Sequence, residues 1–151
     1  MTSSITVANE FLRLAKADGN SLTPMQVLKL VYIAHGWNLG LYHRPLIEDE
    51  VQAWKFGPVI PRLYNRISKY RGRPVSESIN GGPVETLEPQ ALNLIQQVYG
   101  IYGNKTGLAL SRITHAPNTP WSLTYTPNEF SIPIPNDVIE DHYVKLSAET
   151  Q

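Results

Sequence analysis

From Val27 to Trp37, apolar residues fall on nearly every side of a helix. Val27, Leu28, Leu30, Val31, Tyr32, Ile33, Ala34 and Trp37 leave only Lys29, His35 and Gly36 between them. A helix that is apolar all round must be enclosed by other elements, so this segment predicts the central helix of the fold. Its start is encoded locally. Thr23 is a capping residue, Pro24 occupies the first helical position, and Gln26 can close a capping box. The helix is predicted to run to about Leu41, where His43-Arg44-Pro45 breaks the pattern.

The flanking segments are amphipathic. Ile5 to Ala17 carries one apolar stripe through Val7, Phe11 and Leu14 and stops at Asp18-Gly19-Asn20. Leu46-Ile47 and Val51-Gln52-Ala53-Trp54 read as two short extended pieces of a hairpin around Glu48-Asp49-Glu50. Gly57-Pro58 reads as a corner, after which Val59 to Tyr70 regains helical spacing through Ile60, Leu63, Tyr64 and Ile67. Arg71 to Glu85 predicts a loop, with a short strand at Val75 to Ile79. Further helices are expected from Glu88-Pro89 to Tyr102, from Thr106 to His115, and from Val138 to Leu146, the last capped by Asn136-Asp137. Ala116 to Pro135, with five prolines, predicts irregular chain. The expected fold is mostly α: a compact single domain of five to six helices around a buried central helix, with a small β-hairpin.

Composition narrows the chemistry. The chain has 151 residues, 42% hydrophobic and 17% charged, which is globular and enough for one core. Thirteen basic residues balance thirteen acidic ones, so the broad positive field that drives nucleic-acid binding is missing. With no cysteine there is no disulfide, thiolate nucleophile or thiolate metal ligand. Met1-Thr2-Ser3-Ser4 lacks the features of a signal peptide, and the apolar run Leu30 to Ala34 is too short to span a bilayer. A cytoplasmic protein without membrane attachment is the expectation.

No metal-ligand motif, phosphate loop or clustered His/Asp/Glu set is legible, so no catalytic residue, cofactor or metal is expected. His35 and His115 read as capping or hydrogen-bonding residues. Ser111 and His115 are four apart on one helical face, but no carboxylate is placed beside them by sequence. Lys29, polar on an apolar helix, either snorkels to water or pairs with Glu48, Asp49 or Glu50. Trp54 and Phe56 share one face if their segment is extended. They then either pack inward on the central helix, where the pattern places them, or contribute to a partner hot spot. Arg62, Arg66, Lys69, Arg71 and Arg73 are the one basic concentration, with Tyr64 and Tyr70 interleaved. Arg62, Arg66 and Lys69 share a helical face that is either merely solvated or a contact surface.

Three blocks carry a family resemblance: Pro24-Met25-Gln26-Val27-Leu28-Lys29-Leu30-Val31-Tyr32; Pro45-Leu46-Ile47 with Glu50-Val51-Gln52-Ala53-Trp54-Lys55-Phe56-Gly57-Pro58-Val59; and Leu110-Ser111-Arg112-Ile113-Thr114-His115 followed by Pro120-Trp121. In these the chain resembles the SocA-like Panacea-domain antitoxins, over about residues 5 to 147. The resemblance implies a helical, non-enzymatic domain that neutralises a toxin encoded beside it by direct contact. Some relatives instead act as adaptors that deliver the toxin to an AAA+ protease. On this reading the partner-binding residues are Trp54, Lys55, Arg62, Tyr64, Arg66, Lys69 and Tyr70.

Overall fold

The apolar segment becomes the longest helix and lies where its composition demands. A computed structural model describes residues 1–149. Helix α1 (Ser4–Ala17) is followed by α2 (Pro24–Tyr42), whose residues are buried on all sides from Val27 to Gly36. Thr23 and Gln26 form the capping box at its start, and His43, in the left-handed conformation at φ 57°, ends it. After α2 come β1 (Gln52–Trp54), β2 (Gly57–Val59), α3 (Pro61–Ile67) with a 3-10 turn at Ser68–Tyr70, α4 (Pro89–Tyr102), α5 (Gly107–Thr114), α6 (Pro120–Thr124), β3 (Ile132–Pro133) and α7 (Asn136–Glu149). Helices α1, α4, α5 and α7 pack around α2. The strands form an antiparallel sheet in the order β2-β1-β3.

The expected helices are present, and α6 makes seven among the described residues. It lies in the proline-rich stretch expected to be irregular. Thr119 and Ser122 form a second capping box there, with Pro120 in the first helical turn. The hairpin is displaced from its expected place. Leu46-Ile47 joins the N-terminus instead, through Thr2 N–H to the Leu46 carbonyl and Glu48 N–H to the Thr2 carbonyl. Asp49 is drawn to the start of α1, where it accepts from Ser4 N–H at 2.8 Å and from Ser4 Oγ at 2.7 Å. A carboxylate suits those unpaired amides and the positive end of the helix. The hairpin is therefore β1–β2, with Lys55 and Phe56 as its two-residue loop. Gly57 and Pro58 lie within β2 rather than at a corner. Pro is tolerated because β2 is an edge strand. Residues 75 to 79 form no strand: Val75 and Ile79 bury their side chains from coil, and Val75 N–H bonds the Leu22 carbonyl.

Two close fits seat α7 on α2. A Cβ at Gly36 would lie 2.1 Å from the Tyr143 ring, and one at Gly40 would lie 2.7 Å from the Tyr143 Cβ. The glycines let the helix backbone meet Tyr143 directly. Beside them, the His35 ring accepts at Nδ1 from Leu46 N–H (3.2 Å) and Ile47 N–H (3.3 Å), which makes Nε2 the donor to Asn136 Oδ1 at 3.0 Å. Asn136, expected as a helix cap, thus spends its side-chain oxygen on His35. Burial pushes the His35 pKa below its usual range; Asn136 and the Asp49 charge oppose this without cancelling it.

Gly36→Ala is expected to cost about 1–3 kcal/mol by overpacking, read as a lower urea midpoint. The unfolded chain takes up a proton on His35 near pH 6.5 that the folded chain refuses, so stability falls as pH drops below that value. Wild type is expected to lose more stability than His35→Gln between about pH 7.5 and 5.5, measured by urea denaturation of both at each pH.

Candidate functional site

Three carbonyls on alternate residues of the hairpin are each held by a side chain from a different helix. Trp121 Nε1 of α6 donates to the Trp54 carbonyl at 2.6 Å. Ser111 Oγ of α5 donates to the Phe56 carbonyl at 3.3 Å. Lys29 Nζ of α2 donates to the Pro58 carbonyl at 2.9 Å. On the edge strand β2, the Lys29 bond and the missing N–H of Pro58 use up backbone that would otherwise be offered to another strand. Gly57, at φ 128°, takes a conformation that side chains disfavour, and a Cβ there would come 2.9 Å from Lys29 Nζ. Lys29 is only 4% exposed. It neither snorkels nor pairs with Glu48, Asp49 or Glu50; a backbone carbonyl is its partner.

This mooring corrects the inward placement of Phe56. The residue occupies the hairpin loop, not a strand, and is 73% exposed. Trp54 does turn partly inward, packing edge-on against Tyr64 at 5.2 Å between ring centroids and donating from Nε1 to Gln52 at 2.9 Å. Phe56 and Trp54 border a groove of about 420 Å³, with Met25 and Leu28 of α2, Val59 of β2 and Tyr64 of α3 completing its apolar wall. The charged side chains lining it are Lys29, Lys55 and Arg71, with no carboxylate among them. Lys55 Nζ stands 5.4 Å from the centre of the Phe56 ring.

Trp54, Lys55 and Tyr64, three of the expected contact residues, therefore meet at one groove. The other four lie outside its lining. Arg62 Nη1 is 3.5 Å from Glu48, and the Arg66 guanidinium lies so close to Gly81 that a Cβ there would be 2.4 Å from Arg66 Cζ. Lys69 sits 5.5 Å from the Tyr70 ring, and Tyr70 is half-buried against the core. The helical row of three cations is thus divided among separate neighbours. Met25, Leu28 and Val59 of the groove wall are not among the expected contact residues, while Phe56, weighed as a hot-spot residue, and Arg71, from the basic concentration, join it. Met25 and Leu28 carry the same apolar signature as core positions, whereas a two-residue Lys-Phe loop before Gly57 was a signal that could have placed Phe56 outside.

The Ser111–His115 pair is explained by capping. His115 ends α5, its backbone N–H bonds the Ser111 carbonyl, and its Nδ1 also contacts that carbonyl oxygen and, at 3.3 Å, the Ser111 hydroxyl. That hydroxyl is already committed to the Phe56 carbonyl. Among the described residues no group of three His, Cys, Asp or Glu side chains could hold a metal ion, and no helix is long and apolar enough to cross a membrane.

The family profile described as "Antitoxin SocA-like, Panacea domain" matches residues 27–122. The chain belongs to the SocA-like antitoxin family. Antitoxin SocA of Caulobacter vibrioides is 32% identical over 126 residues, which cover 78% of this chain and 67% of that protein. No solved structure matches the chain. All three side chains that moor the hairpin, Lys29, Ser111 and Trp121, fall inside the family match, as does the whole groove except Pro24 and Met25.

Burial lowers the Lys29 pKa from 10.5 to about 8. Between those values the unfolded chain holds a proton that the folded chain releases, so this group makes stability rise with pH. Wild type is expected to gain stability relative to Lys29→Met between about pH 7.5 and 9.5. The check is the difference in urea midpoints at the two pH values; a constant difference would mean that the amine is well solvated.

Proposed function

We propose that this SocA-like chain neutralises a cognate toxin by direct protein contact, in the cytoplasm, and that the contact is centred on the hairpin groove. The observation that carries this reading is Phe56, a large aromatic held in water by a hairpin whose backbone is fastened to three helices. Exposed apolar patches of this kind mark interaction sites. Aromatics in a rigid setting make strong anchors because little conformational freedom remains to be lost on binding. Met25 (44% exposed), Trp54, Tyr64 and the stem of Lys55 extend the apolar surface around it. Arg62, Arg66, Lys69 and Tyr70, on the same helix and turn as Tyr64, form its outer part, where charge steers encounter more than it holds the complex. Neutralisation on this reading is steric masking, with no bond made or broken.

The test is co-expression with the toxin encoded beside the chain. Wild type is expected to restore growth and to co-purify with the toxin. Phe56→Asp is expected to lose both, with a binding loss of about 2 kcal/mol or more, while melting unchanged. Arg62→Glu with Arg66→Glu is expected to slow association with a smaller effect on the lifetime of the complex. Rescue that persists in a strain lacking AAA+ proteases supports masking; rescue that vanishes there assigns neutralisation to proteolytic delivery.

A further inference from the structure

The charge on the groove wall is one-sided. Lys29, Lys55 and Arg71 line it without a carboxylate, in a chain whose basic and acidic residues balance overall. The acidic run Glu48, Asp49 and Glu50 lines a different hollow, beside Arg62. The positive lining is therefore a local arrangement that no neighbouring acid neutralises.

Arg71 adds a second observation. Its backbone is held at φ 55°, ψ −116°, a region that residues with a side chain rarely occupy. Its N–H closes the 3-10 turn on the Ser68 carbonyl at 3.0 Å, which glycine would do with less strain. Among the described residues its guanidinium makes no hydrogen bond and no ion pair, so nothing inside the fold accounts for an arginine here. Strain at a groove wall, carrying an unpartnered planar cation, is what a ligand clamp looks like before its ligand arrives.

We propose that the toxin segment seated in this groove carries an Asp or Glu side chain beside an apolar anchor, and that Arg71 and Lys55 hold its carboxylate. The proposal rests on the antitoxin reading and names the chemistry of the partner at that same site. The apolar anchor packs among Met25, Trp54, Phe56 and Tyr64. The carboxylate meets the guanidinium fork of Arg71, which matches its two oxygens, while Lys55 adds a second donor. Lys29, fixed on the Pro58 carbonyl, adds positive potential to the same wall.

The test pans a library of dodecamers, displayed with both ends blocked, against the full chain. Winners are expected to combine Asp or Glu with Trp, Phe, Leu or Met. As synthetic peptides with capped ends, they are expected to lose affinity by about tenfold or more when the acid is changed to its amide. A comparable loss is expected when the protein carries Arg71→Gly or Lys55→Gln. The stability readout separates clamp from scaffold: Arg71→Gly is expected to melt at the same or a higher temperature, because the strain is relieved. Winners without an acid, no winners at all, binding confined to peptides with a free C-terminal carboxylate, or Arg71→Gly that lowers melting and leaves binding intact would each overturn the proposal. The toxin assay reports on the parent reading separately. Rescue lost with Phe56→Asp but kept with Arg71→Gly and Lys55→Gln sinks the carboxylate clamp and leaves direct neutralisation standing. If wild type fails to rescue, direct neutralisation fails whatever the peptides do.

Discussion

A central helix with no side for water from Val27 to Gly36 is the constraint to which the rest of this fold answers. Helix α2 must be covered on every face, and α1, α4, α5 and α7 are arranged to do so. Apolar burial has no direction of its own, so something else must decide which element covers which face. Polar interruptions on α2 do much of that work. Lys29 reaches only the hairpin, His35 joins the Leu46-Ile47 segment to the start of α7, and Asn38 donates to the Arg44 carbonyl at 2.7 Å. Each would cost heavily if buried without its partner, so Lys29 and His35 tie distant segments to particular turns of α2, and Asn38 fixes the chain just beyond its end. Gly36 and Gly40 act by shape, admitting Tyr143 where any side chain would hold it off.

The same logic produces the candidate site. Trp121, Ser111 and Lys29 satisfy three carbonyls of the hairpin, and in doing so they fix a short sheet that would have little stability alone. What the helices hold still is a loop that points an aromatic ring into water. Stability by itself would favour neither an exposed Phe56, nor a desolvated Lys29, nor a strained Arg71. That all three gather at one groove is the pattern expected where local stability has been given up for recognition.

The family match and the geometry describe the site at different depths. The match spans the mooring residues and most of the groove, and identifies the chain as a SocA-like antitoxin. The geometry then separates the signature into scaffold and surface. Lys29, Gly57, Ser111 and Trp121 hold the hairpin, whereas Phe56, Lys55 and Tyr64 line the groove beside it. Direct neutralisation and a carboxylate clamp are the functional readings that follow from that surface.

Local sequence was sufficient wherever structure depends on neighbours within a few residues. The capping box of Thr23 and Gln26, the stop at His43, the single apolar stripe of α1 and the all-round burial of α2 are set by side-chain period and by nearby hydrogen bonds, and they were legible directly. So was the convergence of Trp54, Lys55 and Tyr64 on one region, because aromatic and basic residues crowd that stretch. What failed depended on partners far along the chain. Asp49 left the expected turn because the start of α1 needed a carboxylate, and Asn136 gave its oxygen to His35. Phe56 faces outward because residues 29, 111 and 121 hold the backbone around it, and a period-two reading of residues 54 to 56 contains none of them. The sequence by itself determined every helix but α6, and which helix lies at the centre. Only the tertiary structure decided which edges are closed and which side chains reach water, because those outcomes belong to contacts between residues tens of positions apart.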